Sequence, residues 1–122
     1  MLIAQVEDHA GIAVVTVSGE VDMETAQVPL DKAITAVERP LTGLVLDLRA
    51  VTFFGSSGIN MLVLLHQHVH DRGVPFGVVA HQTVLKPLEV TATDVYLMLF
   101  ADLPDALAAL RAVPRVPRQQ RR

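Results

Sequence analysis

The sequence predicts an α/β domain, a mixed β-sheet with helices packed over it in the order ββαβαβαβα. Three observations predict it. Two β-branched runs open the chain with turn residues between them. The apolar period then changes from strand-like to helical. From there, short apolar runs bounded by Gly, Pro and Asp alternate with helical stretches, the pattern that builds one layered domain. At 122 residues and 13.2 kDa the chain is long enough for one domain with a real core.

Leu2, Ala4 and Val6 alternate with Ile3, Gln5 and Glu7, and Asp8-His9-Ala10-Gly11 supplies turn chemistry. The run Ile12 to Val17 follows, so the two segments read as an antiparallel hairpin, ended by Gly19-Glu20-Val21-Asp22. From about Thr25, Val28, Ala33, Ile34 and Val37 share one helical face. Pro29 fits only a first turn, so this helix begins just before it and ends near Arg39-Pro40. Gly43 to Leu48 is a short apolar run typical of a central strand, and Thr52 to Gly58 a polar, glycine-flanked junction. An apolar helix runs from Ile59 to about Asp71, with Met61, Leu62, Leu64 and Leu65 as its core stripe and Arg72-Gly73 as its stop. Val74 to Ala80 reads as a strand, Thr83 to Thr91 as a short helix with Pro87 near its start, and Tyr96 to Phe100 as the last strand. Asp102-Leu103-Pro104-Asp105 caps a final helix to about Val113.

Composition narrows the function classes. Apolar residues make up 51% and charged residues 19%, which excludes a wholly disordered chain. Without cysteine there is no disulfide, thiol chemistry or Cys-ligated zinc. The longest apolar run, Val95 to Ala101, is 7 residues, far short of the ~20 of a membrane helix. The N-terminus lacks the basic region of a signal peptide, so the expectation is a cytoplasmic protein without membrane insertion. Residues 1–114 hold six basic against thirteen acidic groups, a net charge of −7. Such a body repels nucleic acid and suits a partner with a basic face. Residues 114–122 carry Arg115, Arg118, Arg121 and Arg122 between prolines and glutamines, and read as a flexible basic extension.

The stretch that can carry chemistry is Phe53-Phe54-Gly55-Ser56-Ser57-Gly58 leading into a helix. A serine there can cap the helix by accepting from its unpaired N–H groups. The same N–H groups and the helix dipole can instead stabilise an added phosphate. Residue types alone leave both readings open. The pattern is neither the G-x-S-x-G of a serine hydrolase nor a P-loop, since no Gly-Lys-Ser/Thr follows. Of His66, His68 and His70, only the first and last share a helical face, and no HExxH motif is present. A solvated face is the reading there, with no metal site. Asp22 and Glu24 read as ordinary acids near a helix start.

The stretch from Leu44, LVLDLRAVTFFGSSGINMLVLLHQHVHDRG, resembles the signature of STAS-domain proteins of the anti-sigma factor antagonist type. That signature is an apolar strand ending in Asp-Leu, a Val-x-Phe loop, then Asp-Ser-Ser/Thr-Gly opening an apolar helix. Ser18-Gly19-Glu20-Val21-Asp22 resembles the family's Gly-Glu-Leu-Asp element, and the likeness extends over roughly residues 2–112. The resemblance implies a single STAS domain over residues 1–113, acting as a protein-binding regulator and not as an enzyme. It implies Ser56 as the phosphoacceptor, Ser57 as the neighbouring hydroxyl, Asp22 as the acid beside the loop, and Asp22 with Gly55, Ser56, Ser57, Gly58, Ile59 and Asn60 as the partner-binding surface. The implied partner is an anti-sigma factor, a serine kinase with a histidine-kinase-like ATPase fold, sequestered by the unphosphorylated form so that a sigma factor is released. ATP is spent by that kinase, so no cofactor is expected here. The family's acid before the serine is Gly55 in this chain, which leaves room for an alternative: a non-phosphorylated STAS adaptor subunit of a stress-signalling or lipid-transport assembly.

Overall fold

Ala10 and Gly11 both take positive φ, 53° and 94°. Such a two-residue turn matches the twist of the strands it joins, and Asp8 Oδ1 accepts from the Gly11 N–H at 3.0 Å. In the computed structural model, which describes residues 1–39 and 41–114, this turn joins antiparallel β1 (Leu2–His9) and β2 (Ile12–Val21). Strands β3 (Gly43–Phe54), β4 (Phe76–Val79) and β5 (Met98–Phe100) then add in parallel, giving the order β1-β2-β3-β4-β5. Helices α1 (Gln27–Val37), α2 (Ser56–Asp71) and α3 (Gln82–Val90) are the crossovers, and α4 (Leu103–Ala112) closes the chain.

Consecutive parallel strands laid down in one direction, with crossovers of one hand, put all three crossover helices on the same face. The core follows. On that face Ala13, Val15 and Val17 of β2 and Leu44, Leu46 and Leu48 of β3 pack with Leu30 and Ala33 of α1, Met61, Leu62 and Leu65 of α2, and Val84 and Leu88 of α3. The alternate residues Ile12, Val14, Val45 and Val79 face the other way, under Ala106, Leu107 and Leu110 of α4. β2 and β3 are therefore covered on both sides where their sequences are most continuously apolar.

The element order is the expected one, and the boundaries differ for identifiable reasons. β3 runs on to Phe54 because it carries one residue more than β2 at two places, opposite Thr16–Ser18 and opposite Gly19–Glu20. Each bulge breaks the alternation that would mark a strand. α2 begins at Ser56, three residues before its first plainly apolar side chain. Leu64, expected in the core stripe, is 45% exposed, and Val28 of α1 is 43% exposed. Leu64 lies just outside the buried arc of α2, and Val28 lies on the exposed side of α1 with Asp31, Lys32 and Thr35. Pro87 sits well inside α3, not near its start. β5 is shorter than expected because a 3-10 turn, Thr93–Tyr96, takes up residues before it, and β4 spans only Phe76–Val79 of the expected Val74 to Ala80. The basic extension, residues 114–122, lies outside the described residues from Arg115 on. No helix among the described residues is long and apolar enough to cross a membrane.

Gly19 of the Gly-Glu-Val-Asp element is required by geometry. Its φ is +99°, and a β-carbon there would stand 2.0 Å from the Met1 carbonyl oxygen.

Candidate functional site

The C-terminal ends of β2 and β3 lie side by side, and their loops are tied by a hydrogen bond from Gly55 N–H to Val21 O at 3.1 Å. This brings Asp22 and the segment from Gly55 to Asn60 to one end of the sheet. Asp22 organises its own loop. Its Oδ1 accepts from the N–H of Glu24 at 2.9 Å and of Thr25 at 3.1 Å. In return the Thr25 hydroxyl accepts from the Asp22 N–H at 2.9 Å and donates to Glu20 O at 2.6 Å. Two groups of the chain thus satisfy each other ahead of α1, the reciprocal logic of a capping box. The Glu24 N–H foremost holds the Asp22 carboxyl below its ordinary pKa of 3.8; the Thr25 hydroxyl and N–H add to this, while desolvation acts in the opposite direction.

Across the gap, Gly55 is the N-cap of α2, in extended backbone with φ −93° and ψ −169°. Neither serine caps the helix, contrary to the capping reading, because the helix starts early enough to take both into its first turn. The Ser56 side chain is exposed and Ser57 half-buried, and neither hydroxyl has a hydrogen-bond partner among the described residues. The Gly55 carbonyl accepts from the N–H groups of Gly58 and Ile59 at 2.9 and 3.3 Å. Gly58 is buried on the Phe54 ring, where a β-carbon would stand 2.6 Å from the nearest ring carbon. Ile59 is half-buried against the core, and Asn60 is exposed. The segment therefore offers Ser56 and Asn60 outward and uses Gly58 and Ile59 to seat the helix.

Two exposed side chains beside these loops were given no binding role by the sequence, Phe53 standing only as the start of the junction and Met23 not at all: they are 52% and 86% exposed. The signal was the Phe53-Phe54 pair, since in a strand only one of two adjacent rings can enter the core. The structure also gives a role to Asp47, buried within the apolar run of β3. Arg49 grips it through Nε to Oδ1 at 3.0 Å and Nη2 to Oδ2 at 2.8 Å, and the Arg49 N–H adds a third bond at 3.1 Å. This bidentate pair satisfies the one buried acid of the sheet, and it holds the Arg49 pKa above its usual value.

The histidines of α2 stand apart from the loops. His66 and His70 stack with ring centroids 6.1 Å apart, while His68 Nε2 accepts from Arg72 Nε at 3.0 Å. No third His, Cys, Asp or Glu joins a pair of them in metal-binding reach among the described residues.

The family model of the STAS domain matches residues 4–106, from β1 into α4. The chain belongs to the STAS domain family. It is 40% identical over 109 residues to the anti-sigma-F factor antagonist RsfB of Mycobacterium tuberculosis, with 87% of each chain covered. Among solved structures it is similar to an anti-sigma factor antagonist from Mycobacterium paratuberculosis, at TM-score 0.85 and 38% identity over 91% of this chain and 95% of that one. It also shares its fold with the anti-sigma factor antagonist SpoIIAA in its unphosphorylated form, at TM-score 0.75 and 18% identity over 93% of this chain and the whole of that one.

Proposed function

We propose that this STAS protein is an anti-sigma factor antagonist, a binding protein rather than an enzyme, that takes up an anti-sigma factor in the cytoplasm and thereby frees a sigma factor. The relative from Mycobacterium tuberculosis supports the class. The single observation that carries the mechanism is Ser56: an exposed hydroxyl without a partner among the described residues, on the first residue of a 16-residue helix that no side chain caps. The docking surface is Asp22, Gly55, Ser56, Ser57 and Asn60, with Gly58 and Ile59 seating the segment from beneath, carried on the unit 1–113, with 114–122 as a basic extension. The partner is an anti-sigma factor with serine-kinase activity.

Phosphate on Ser56 adds about −1.5 to −2 charge and bulk at the first turn of α2. The domain itself tolerates it, because the first-turn N–H groups and the dipole favour an anion. The partner, fitted to a neutral hydroxyl, does not. A coupling of about 1–3 kcal/mol lowers affinity roughly 5- to 150-fold. The test titrates wild-type protein, Ser56→Ala and Ser56→Asp against the purified anti-sigma-F factor of Mycobacterium tuberculosis. Ser56→Ala retains binding and Ser56→Asp loses much of it. Equal affinity for Ser56→Asp and wild type removes the switch and leaves an adaptor subunit that works without phosphorylation.

A further inference from the structure

The loops around Ser56 join an apolar centre to an acidic rim. From Ala50 to Leu65 the chain carries no charged residue, and no Lys or Arg occurs in residues 1–31. Phe53 stands exposed at the end of β3 and Met23 on the loop after β2, beside the Gly55–Val21 bond, and Leu64 is exposed further along α2. Glu20 and Glu24, both exposed, flank Asp22 on the neighbouring loop.

Phe53 is aimed and seated by its neighbours. The second bulge of β3 pairs Glu20 with Phe53 and Val21 with Phe54, and sends Phe54 into the core while Phe53 turns outward. The Phe53 ring leans on Gly55: a β-carbon at residue 55 would stand 3.1 Å from Cε2 and 3.3 Å from Cζ. The backbone of Gly55, at φ −93°, admits any L-residue. Glycine here supplies room for the ring, not conformational freedom. A methyl at this position makes the ring give by a few tenths of an ångström.

We infer that Phe53, seated by Gly55, is the anchor of the docking surface, and that its partner is a protein offering an apolar pocket rimmed by arginine or lysine. The inference rests on the antagonist reading and specifies what that surface recognises. A ring already held on one side loses little freedom on docking, and the exposed remainder is apolar area to remove from water. The acidic rim selects and steers a basic counterpart.

The test is a double-mutant cycle of Phe53→Ala, Gly55→Ala and the double variant, titrated with wild type against the purified anti-sigma-F factor of Mycobacterium tuberculosis. Circular dichroism verifies the fold of each. Phe53→Ala is expected to weaken binding about tenfold or more. Gly55→Ala weakens it by less, because its methyl pushes the ring a few tenths of an ångström out of its seat, and the double variant binds no worse than Phe53→Ala alone. Should Phe53→Ala fail to fold, Phe53→Leu takes its place and shows a smaller loss in the same pattern. Wild-type affinity in the Phe53 variant, or in Gly55→Ala, or additive losses in the double variant, overturn the inference while the antagonist reading stands. A wild-type protein that does not bind at all overturns both.

Discussion

The N-termini of α2 and α4 solve one problem in opposite ways. Each helix begins with N–H groups that have no partner within the helix. At α4 the sequence supplies what stability asks for. Asp102 is the N-cap and its carboxylate accepts from the Asp105 N–H at 2.9 Å, Pro104 stands within the first turn, and Asp105 adds a negative charge there. At α2 the cap is a glycine, the first turn has no acid, and two hydroxyls of a type able to turn back bond to nothing among the described residues. What α2 lacks in capping it has in packing: Met61, Leu62, Leu65 and Val69 are almost wholly buried. α4 buries a shorter stripe, Ala106, Leu107 and Leu110. A helix held from below by its apolar face can leave its N-terminus open to a ligand or a modification.

The contrast is sharpened most by removing that packing. Leu62 is 0% exposed, and Leu62→Ala is expected to cost about 2–5 kcal/mol, read from denaturant unfolding. A cost below about 1 kcal/mol means that α2 is held by something other than its buried face.

A smaller effect separates the two caps directly. Asp102→Ala gives up the bond to the Asp105 N–H and is expected to cost about 0.5–2 kcal/mol, a fall of a few degrees in Tm. Ser56→Ala removes a hydroxyl without a partner and stays within about 0.5 kcal/mol of wild type. Equal losses in the two variants abolish the distinction drawn between the helices.

The smallest effect concerns the loop opposite Ser56. Asp22 has its carboxyl pKa lowered in the fold from 3.8, so its contribution is present above that value and is lost as pH falls through the folded pKa. Asp22→Asn removes this titration. The fall in Tm on acidification below about pH 4 is therefore shallower in the variant than in wild type. Superimposable Tm curves across that range show that the hydrogen bonds from Glu24 and Thr25 give the loop no pH dependence.

Much of this architecture is legible in the chain itself. Alternation in residues 2–7, the β-branched run from Ile12 to Val17 and the turn at Ala10–Gly11 specify the hairpin, because strand patterns and positive-φ turns are local properties. Asp102-Leu103-Pro104-Asp105 specifies the start of α4, since capping involves residues only three apart. Ser56 and Asp22 stand out through motif and order in the sequence. The tertiary structure decided what depends on neighbours distant in sequence. The bulges that carry β3 to Phe54 exist only against β2, and they determine which of two adjacent phenylalanines enters the core. The bond from Gly55 to Val21 brings together loops more than thirty residues apart, and no local pattern encodes it. The serines were ambiguous for the same reason. Their residue type allows a cap or a free hydroxyl, and the choice fell to where α2 begins, which is set by the packing of Gly58 on Phe54 and of Met61, Leu62 and Leu65 on the sheet.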